Sequence, residues 1–188
     1  CDVSDIVRIE VLEGPAARVY GTSSLVGAIN VVTLRNEKLE MRNEKWKAAA
    51  RVEGGSYGYL SAATQLSILN SQLSINYIRS DGYQRAKSGA LNSDYQGAKA
   101  FYQGGYESEQ VRLNWHAGLS TKGFGSNTFY SAKYDEQYEK TTKLFTALKI
   151  NGQWSMVNVQ CATYWNRSYD RFALIRGDES KVPFNHHR

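Results

Sequence analysis

Val111-Arg-Leu-Asn-Trp-His-Ala-Gly-Leu-Ser120 places Val111, Leu113, Trp115, Ala117 and Leu119 at alternate positions, with Arg112, Asn114, His116 and Ser120 between them. A period of two is the mark of a strand with one apolar and one polar face. The same parity recurs on both sides of this stretch. Upstream, Trp46, Ala48, Ala50 and Val52 alternate with Lys47, Arg51 and Glu53. Leu60, Ala62, Leu66 and Ile68 oppose Ser61, Gln65 and Ser67, and Leu73, Ile75 and Tyr77 oppose Gln72, Ser74 and Asn76. A strand near Tyr95 to Tyr106 is blurred by Gly97, Gly104 and Gly105. Downstream, Leu144, Leu148 and Ile150 oppose Lys143 and Lys149, and Val157, Val159, Cys161 and Trp165 oppose Asn158, Gln160 and Asn166.

The connections alternate in length. Tight turns are expected at Asn70-Ser71, Glu107 to Glu109 and Asn151-Gly152, the last being the strongest hairpin signal in the chain. Long loops are expected at Ser80 to Asp94 and Thr121 to Glu139 and after the seventh strand; the short Gly54 to Gly58 turn breaks the pattern. Long loops on one rim and short turns on the other, with two-faced strands between, is the layout of an outer-membrane barrel. The expected fold class is therefore all-β: a fragment of a large antiparallel transmembrane β-barrel, seven strands of roughly ten residues each.

Composition agrees and excludes rivals. The chain has 188 residues, 41% hydrophobic, with 13 Tyr and 16 Gly against 2 Pro. Mean hydropathy is −0.52, and no run approaches the roughly 20 apolar residues of a membrane helix. Alternating strands dilute their own hydropathy, so that value does not argue against a barrel. The formal charge of +5 comes from scattered Lys and Arg accompanied by 18 acids, without the basic cluster that nucleic acid requires. Cys1 and Cys161 form neither a metal spacing nor a disulfide framework. Both chain ends read as cut through structured sequence, which points to a fragment.

Ahead of the strand series lies Ile6-Val-Arg-Ile-Glu-Val-Leu-Glu-Gly-Pro-Ala-Ala-Arg-Val-Tyr-Gly21, then Gly27-Ala-Ile-Asn-Val-Val-Thr33. Ile6 to Leu12 and Ala28 to Thr33 read as strands. Ala16 to Tyr20 reads as one helical turn behind Pro15, Gly21 to Gly27 as a loop, and the charged stretch from Arg35 to Lys45 as a linker. The division is 1–35, 36–45 and 46–188. This segment resembles the C-terminal end of the plug of TonB-dependent outer-membrane receptors, whose pattern is IE-V-x-x-GP-x-x-x-x-YG followed by G-x-IN-(V/I)-(V/I)-T. The matching positions are Glu10, Gly14, Pro15, Tyr20, Gly21, Gly27 and Asn30; Glu13 stands where many relatives carry Arg.

The resemblance implies a 22-stranded barrel closed by a plug, in the outer membrane of a Gram-negative bacterium. Such receptors capture a scarce ligand and import it with energy from a TonB-type energy-transducing protein, whose contact segment this chain lacks. The Gly123 to Glu139 stretch and the Phe184 to Arg188 tail are similar to cobalamin-receptor-like members. Cobalamin or a related corrinoid is thus the first ligand expected, then an iron-siderophore complex or a glycan.

Several residues carry two readings. Gly14, Gly21 and Gly27 supply tight backbone geometry; they lack the Lys-Ser/Thr of a phosphate loop. Glu10, Glu13 and Arg18, enclosed by a barrel, would need partners, either gating or permanently structural. Phe124, Asn127, Phe129, Tyr130, Tyr134 and Tyr138 form a ligand platform or an interface girdle. Asp135, Glu136 and Glu139 offer carboxylates to calcium without an EF-hand spacing; no other cofactor is implied. Trp46, Trp115 and Trp165 share the lipid face as anchors, and the barrel lipid is itself a partner. His116 is a lumen residue, while adjacent His186 and His187 point to opposite faces. No Ser/His/Asp set or paired carboxylate suggests an enzyme. A passive porin or an adhesin shares the strands but has no reason to carry the Ile6 to Thr33 pattern. In a soluble carbohydrate-binding module a second sheet would cover Trp115 and Trp165.

Overall fold

The structure, a computed structural model, describes residues 6–13, 27–33, 46–85, 89–177 and 186–187. Every regular element among them is a strand. β1 (Ile6–Glu13) and β2 (Gly27–Thr33) form an antiparallel hairpin of their own. β3 (Trp46–Gly54), β4 (Leu60–Ile68) and β5 (Ser71–Ser80) begin the main sheet. β6 (Gln84–Arg85) and β7 (Gly89–Ala90) are a small hairpin within the following loop. β8 (Tyr95–Glu107), β9 (Val111–Asn127), β10 (Gln137–Trp154), β11 (Val157–Ala173) and β12 (His186–His187) complete it. The sheet order is β3-β4-β5-β8-β9-β10-β11-β12, each strand antiparallel to its neighbours. It is a meander in which chain neighbours are space neighbours, with β3 and β12 at its edges. The predicted helical turn at 16–20 and the linker at 35–45 lie outside the described residues, as do Gly14, Pro15, Arg18, Tyr20 and Gly21.

Four sequence expectations are corrected. β9, β10 and β11 run 17, 18 and 17 residues rather than ten. The loop expected over Thr121 to Glu139 shrinks to 128–136, because Thr121–Asn127 and Gln137–Glu139 belong to strands. Gly123 and Gly125 make that stretch look loop-like, yet both are buried strand residues. A Cβ at Gly123 would lie 2.1 Å from the Tyr138 hydroxyl, so glycine there makes room for a neighbouring side chain. Finally, Asn151-Gly152 is not a turn. Both residues pair with β9 on one side and β11 on the other, and the chain reverses at Ser155-Met156. Gly152 lies under the Trp154 ring, whose atoms a Cβ would approach to 2.2 Å. The first two tight turns are likewise displaced by one residue, the first earlier to Leu69-Asn70 and the second later to Ser108 to Gln110, Glu107 being the last residue of β8.

The register carries single rows across the sheet. One runs Ala48, Leu66, Leu73, Tyr102, Ala117, Thr146 and Trp165. Its face is the apolar one expected from parity, and it is left open. Trp46 is 66% exposed and Trp165 48%, and Ile68, Ile75, Leu119, Leu148 and Val159 are exposed with them. Among the described residues no second sheet packs on this face. Ser67, Gln72, Ser74 and Phe101 are buried on the other face, while the residues buried on this one are small: Gly123, Gly125, Gly152 and Ala173. Charge divides in the same way. Following the register from β3 to β11, Glu53, Glu107, Glu139 and Asp170 all fall on the polar face. The charged residues of the apolar face are Arg79, Lys140, Arg167 and Arg171, every one basic and every one toward the long-loop rim.

Candidate functional site

At the long-loop rim, β9, β10 and β11 rise together, and the 128–136 loop folds onto one side chain. Gln137, fully buried, accepts a hydrogen bond from the Tyr130 backbone N–H at 3.0 Å. Its amide donates to the carbonyls of Ser131 (2.9 Å) and Tyr134 (2.8 Å). A bulge marks this point, where pairing steps from Gln137–Asn127 to Tyr138–Gly125, and Asn127 takes a φ of 47°. The neighbouring loop is tied in by Asn92, which donates to the Asp135 and Gln137 carbonyls (2.9 and 2.5 Å). Arg176 closes the ring with two bonds to the Asp94 carboxylate, 2.7 and 3.0 Å. Its backbone N–H donates to the Glu136 carbonyl at 2.9 Å, and its guanidinium stacks 4.4 Å from the Tyr138 ring centroid. The bond to Asp94 raises the Arg176 pKa.

This scaffold gathers aromatic groups on the polar face. Phe124 of β9 stands opposite Tyr95 of β8 and Glu139 of β10, and Glu139 stands opposite Phe172 of β11. Tyr130 packs edge-on against Phe172 (4.9 Å between centroids) and Phe129 (4.8 Å). Its hydroxyl donates to the Glu139 carboxylate at 2.5 Å, which pushes the phenol pKa up. Lys122 sits 4.7 Å over the Phe124 ring. Phe129 is 80% exposed at the loop tip. The result is an open aromatic platform with one carboxylate and one ammonium at its base. Rings of this kind offer stacking area at little entropy cost, and the two charges offer orientation.

The structure thus splits the six predicted platform residues. Phe124, Phe129 and Tyr130 come together, and Asn127 shapes the bulge beneath them. Tyr134 lies apart in the loop against Lys133. Tyr138 is a strand residue on the opposite face, stacked on Arg176. Phe172, Lys122, Gln137 and Asn92 were not singled out from sequence. Phe172 was reachable by extending strand parity; the Gln137 and Asn92 roles depend on loop conformation, which leaves no periodic trace. Of the calcium candidates, Asp135 and Glu136 lend main-chain carbonyls to Asn92 and Arg176, and Glu139 binds Tyr130. Among the described residues no three His, Cys, Asp or Glu side chains are grouped to hold a metal.

A second feature lies at the short-turn end of the polar face. A cavity of about 740 Å³ is lined by Gln103, Arg112, Asn114, His116, Lys149, Tyr164 and, from β2, Val32. His116 packs between Phe101 and Phe145 (6.2 and 6.0 Å), over Gly118, where a Cβ would strike the Phe145 ring at 2.3 Å. His116 is thus a packing residue on the predicted face, not a ligand in a cluster. Glu10 on β1 pairs with Arg8 of its own strand at 2.7 Å. Gly27 and Asn30 are β2 residues, paired with Glu13 and Glu10. Compared with family models, with curated proteins and with solved structures, the chain matches none.

Proposed function

We propose that this chain is part of the wall and plug of a TonB-dependent outer-membrane receptor that imports a scarce nutrient. The observation that carries the reading is the open apolar face. Large apolar side chains from seven successive strands stand unburied together, free of acidic residues, and back onto a polar face. Soluble monomers rarely expose contiguous apolar area beyond a few hundred Å². A bilayer is the solvent for which such a face is built, since every backbone group inside the sheet is paired. The Ile6 to Thr33 pattern separates this reading from a passive porin. The approach of Val32 to the polar-face cavity is in keeping with a plug segment lying inside the wall.

In this reading the long-loop rim faces outward from the cell, and the Phe124, Phe129, Tyr130 and Phe172 platform captures the ligand before the plug moves. Cobalamin or a related corrinoid is the first ligand, resting on the likeness of the 123–139 stretch; a ferric siderophore is the second. Calorimetry on the detergent-solubilised receptor carrying this chain tests it, with cyanocobalamin and a ferric siderophore titrated separately. Tight cyanocobalamin binding, weakened about tenfold or more by Phe129→Ala with Tyr130→Ala, is the expected result, since buried aromatic anchors each contribute more than about 1 kcal/mol. Binding of the siderophore alone would move the ligand to iron chelates. Binding of neither would remove both ligands and leave a glycan as the cargo to be titrated next.

A further inference from the structure

Across the long-loop rim the register lines up Tyr95, Phe124, Glu139 and Phe172 in one row over β8, β9, β10 and β11, on the polar face. Residues directly opposite in an antiparallel pair have Cβ atoms about 5 Å apart, so Glu139 has a phenylalanine on either side. Tyr130 comes in from the 128–136 loop as a third ring. Its hydroxyl donates to one carboxylate oxygen at 2.5 Å, and it packs edge-on against Phe172 at 4.9 Å between centroids. Glu139, Phe124 and Phe172 are half-buried. Among the described residues Tyr130 is the one hydrogen-bond partner of that carboxylate, and no lysine or arginine forms an ion pair with it. Its diagonal neighbours on this face are Lys122 of β9 and Asp170 of β11, one charge of each sign. Lys122 turns its ammonium to the Phe124 ring, 4.7 Å from the centroid, rather than to the carboxylate. Asp170 accepts a hydrogen bond from the Ser168 hydroxyl at 3.4 Å. Glu139 thus keeps its negative charge among rings whose faces attract cations.

We propose that Glu139, Tyr130 and Phe172 hold an organic cation, an alkylated ammonium group, at the long-loop rim. The proposal deepens the import reading above and rests on it: the part of the cargo that touches the platform carries a positive charge. A metal ion is the wrong cation for this place, because it takes several oxygen ligands and no other carboxylate is grouped with Glu139 among the described residues. An alkylated ammonium presents an apolar shell to the rings and its charge to the carboxylate, so both halves of the site are used. Rings on both sides remove water from the carboxylate, and the attraction is screened less than it would be in bulk water. Lys122 over Phe124 shows the same pairing made within the chain and bounds the site on the β9 side. An anionic chelate would meet Glu139 as a like charge, so the residue also sets which cargo is refused.

Two probes of one shape test this: choline, and 3,3-dimethylbutan-1-ol, in which carbon replaces the charged nitrogen. The receptor carrying this chain is titrated with each in an uncharged maltoside detergent, and binding is read by saturation-transfer NMR on the nine equivalent methyl protons of the probe. Choline is expected to bind about tenfold more tightly than the alcohol. In Glu139→Gln the two should bind alike, with the curve for the alcohol unmoved as evidence that the rings are still in place. Equal affinity for the two probes in the wild type would overturn the cation site, and so would transfer to neither. A preference for choline that survives Glu139→Gln would put the cation elsewhere and overturn the assignment to this row. The two readings fail apart: a nutrient that binds in calorimetry while choline shows no preference overturns the cation site alone and leaves import standing.

Discussion

The two rims of the same sheet are built by different means. At one, the strands reverse in two or three residues, at Leu69-Asn70, Ser108 to Gln110 and Ser155-Met156, and backbone groups do most of the joining, helped at the second turn by the Ser108 hydroxyl and the Arg112–Glu107 pair. Gly105 donates to the Asn70 carbonyl at 2.9 Å and Gln153 to that of Gln110 at 2.8 Å, so the first two turns are bonded to the next strand but one. Leu69 and Ser155 take φ values of 49° and 51° to make the reversal. At the other rim most connections are longer and side chains hold them: Gln137 inside the 128–136 loop, Asn92 from the loop before β8 to that one, and Asp94 with Arg176 from the loop before β8 to the segment after β11. A rim closed by backbone depends on conformation at one or two positions. A rim closed by side chains depends on particular residues, and that is where the aromatic platform is found. Precise placement of Tyr130 requires a scaffold, and loops without one would lose it to conformational entropy.

Removing Gln137 should therefore break the contrast most severely. Gln137→Leu keeps the volume and loses three hydrogen bonds. It leaves the Tyr130 N–H and the Ser131 and Tyr134 carbonyls without that partner. At about 1 kcal/mol per bond, more where a group stays buried and unpaired, a loss of about 2–4 kcal/mol is expected. Amide exchange at Tyr130 locates it: protection there should fall to that of a free loop, while β9 and β10 amides in the apolar band keep theirs. Retained protection at Tyr130 would mean that the loop does not hang on this side chain.

A smaller effect is expected where the rim is held at the surface. The Asp94–Arg176 pair is bidentate but partly exposed, and such pairs yield about 0.2–1 kcal/mol. A double-mutant cycle with Asp94→Asn and Arg176→Gln should return a coupling near the upper end of that range, falling with added salt. A coupling of zero would reduce the pair to a surface contact and leave the Arg176 N–H bond to the Glu136 carbonyl as the tie of that segment to the rim.

Strand parity fixed more of this molecule than of its site. Alternation in Val111 to Ser120 extends through the sheet because side-chain direction in a strand depends only on position. That is enough to assign the apolar face, its tryptophans and the antiparallel order. It fails where glycine appears, because glycine signals a turn and also clears space beneath a ring. Gly152 under Trp154 and Gly123 beside Tyr138 were therefore read as breaks when they are strand. The platform was half legible: the aromatic residues of 124–138 stood out, but which face each takes depends on the bulge at Gln137, and Tyr138 falls on the wrong side of it. The Glu10 to Gly21 pattern carries the family resemblance through its residue spacing, and most of it lies outside the described residues.

The position of the β10–β11 turn offers the finest test of how the short rim is made. If Asn151-Gly152 were the reversal, Asn151 would need a left-handed conformation, and a β-branched residue there would cost about 1–2 kcal/mol. In the register observed, Asn151 is an ordinary strand residue between Arg112 and Gln160. Asn151→Thr should then change stability by less than about 0.5 kcal/mol, threonine being favoured in strands. Ser155→Gly should gain up to about 1 kcal/mol: relief of the left-handed φ is worth about 1–2, and glycine's unfolded-state entropy returns part of it. Unfolding midpoints of the two variants, compared in one detergent, decide the matter. Loss of stability in Asn151→Thr together with no gain in Ser155→Gly would move the turn back to Asn151-Gly152. It would also end β10 at Ile150, move Trp154 into β11 opposite Lys149 and shift the partner of every β10 residue by eight positions.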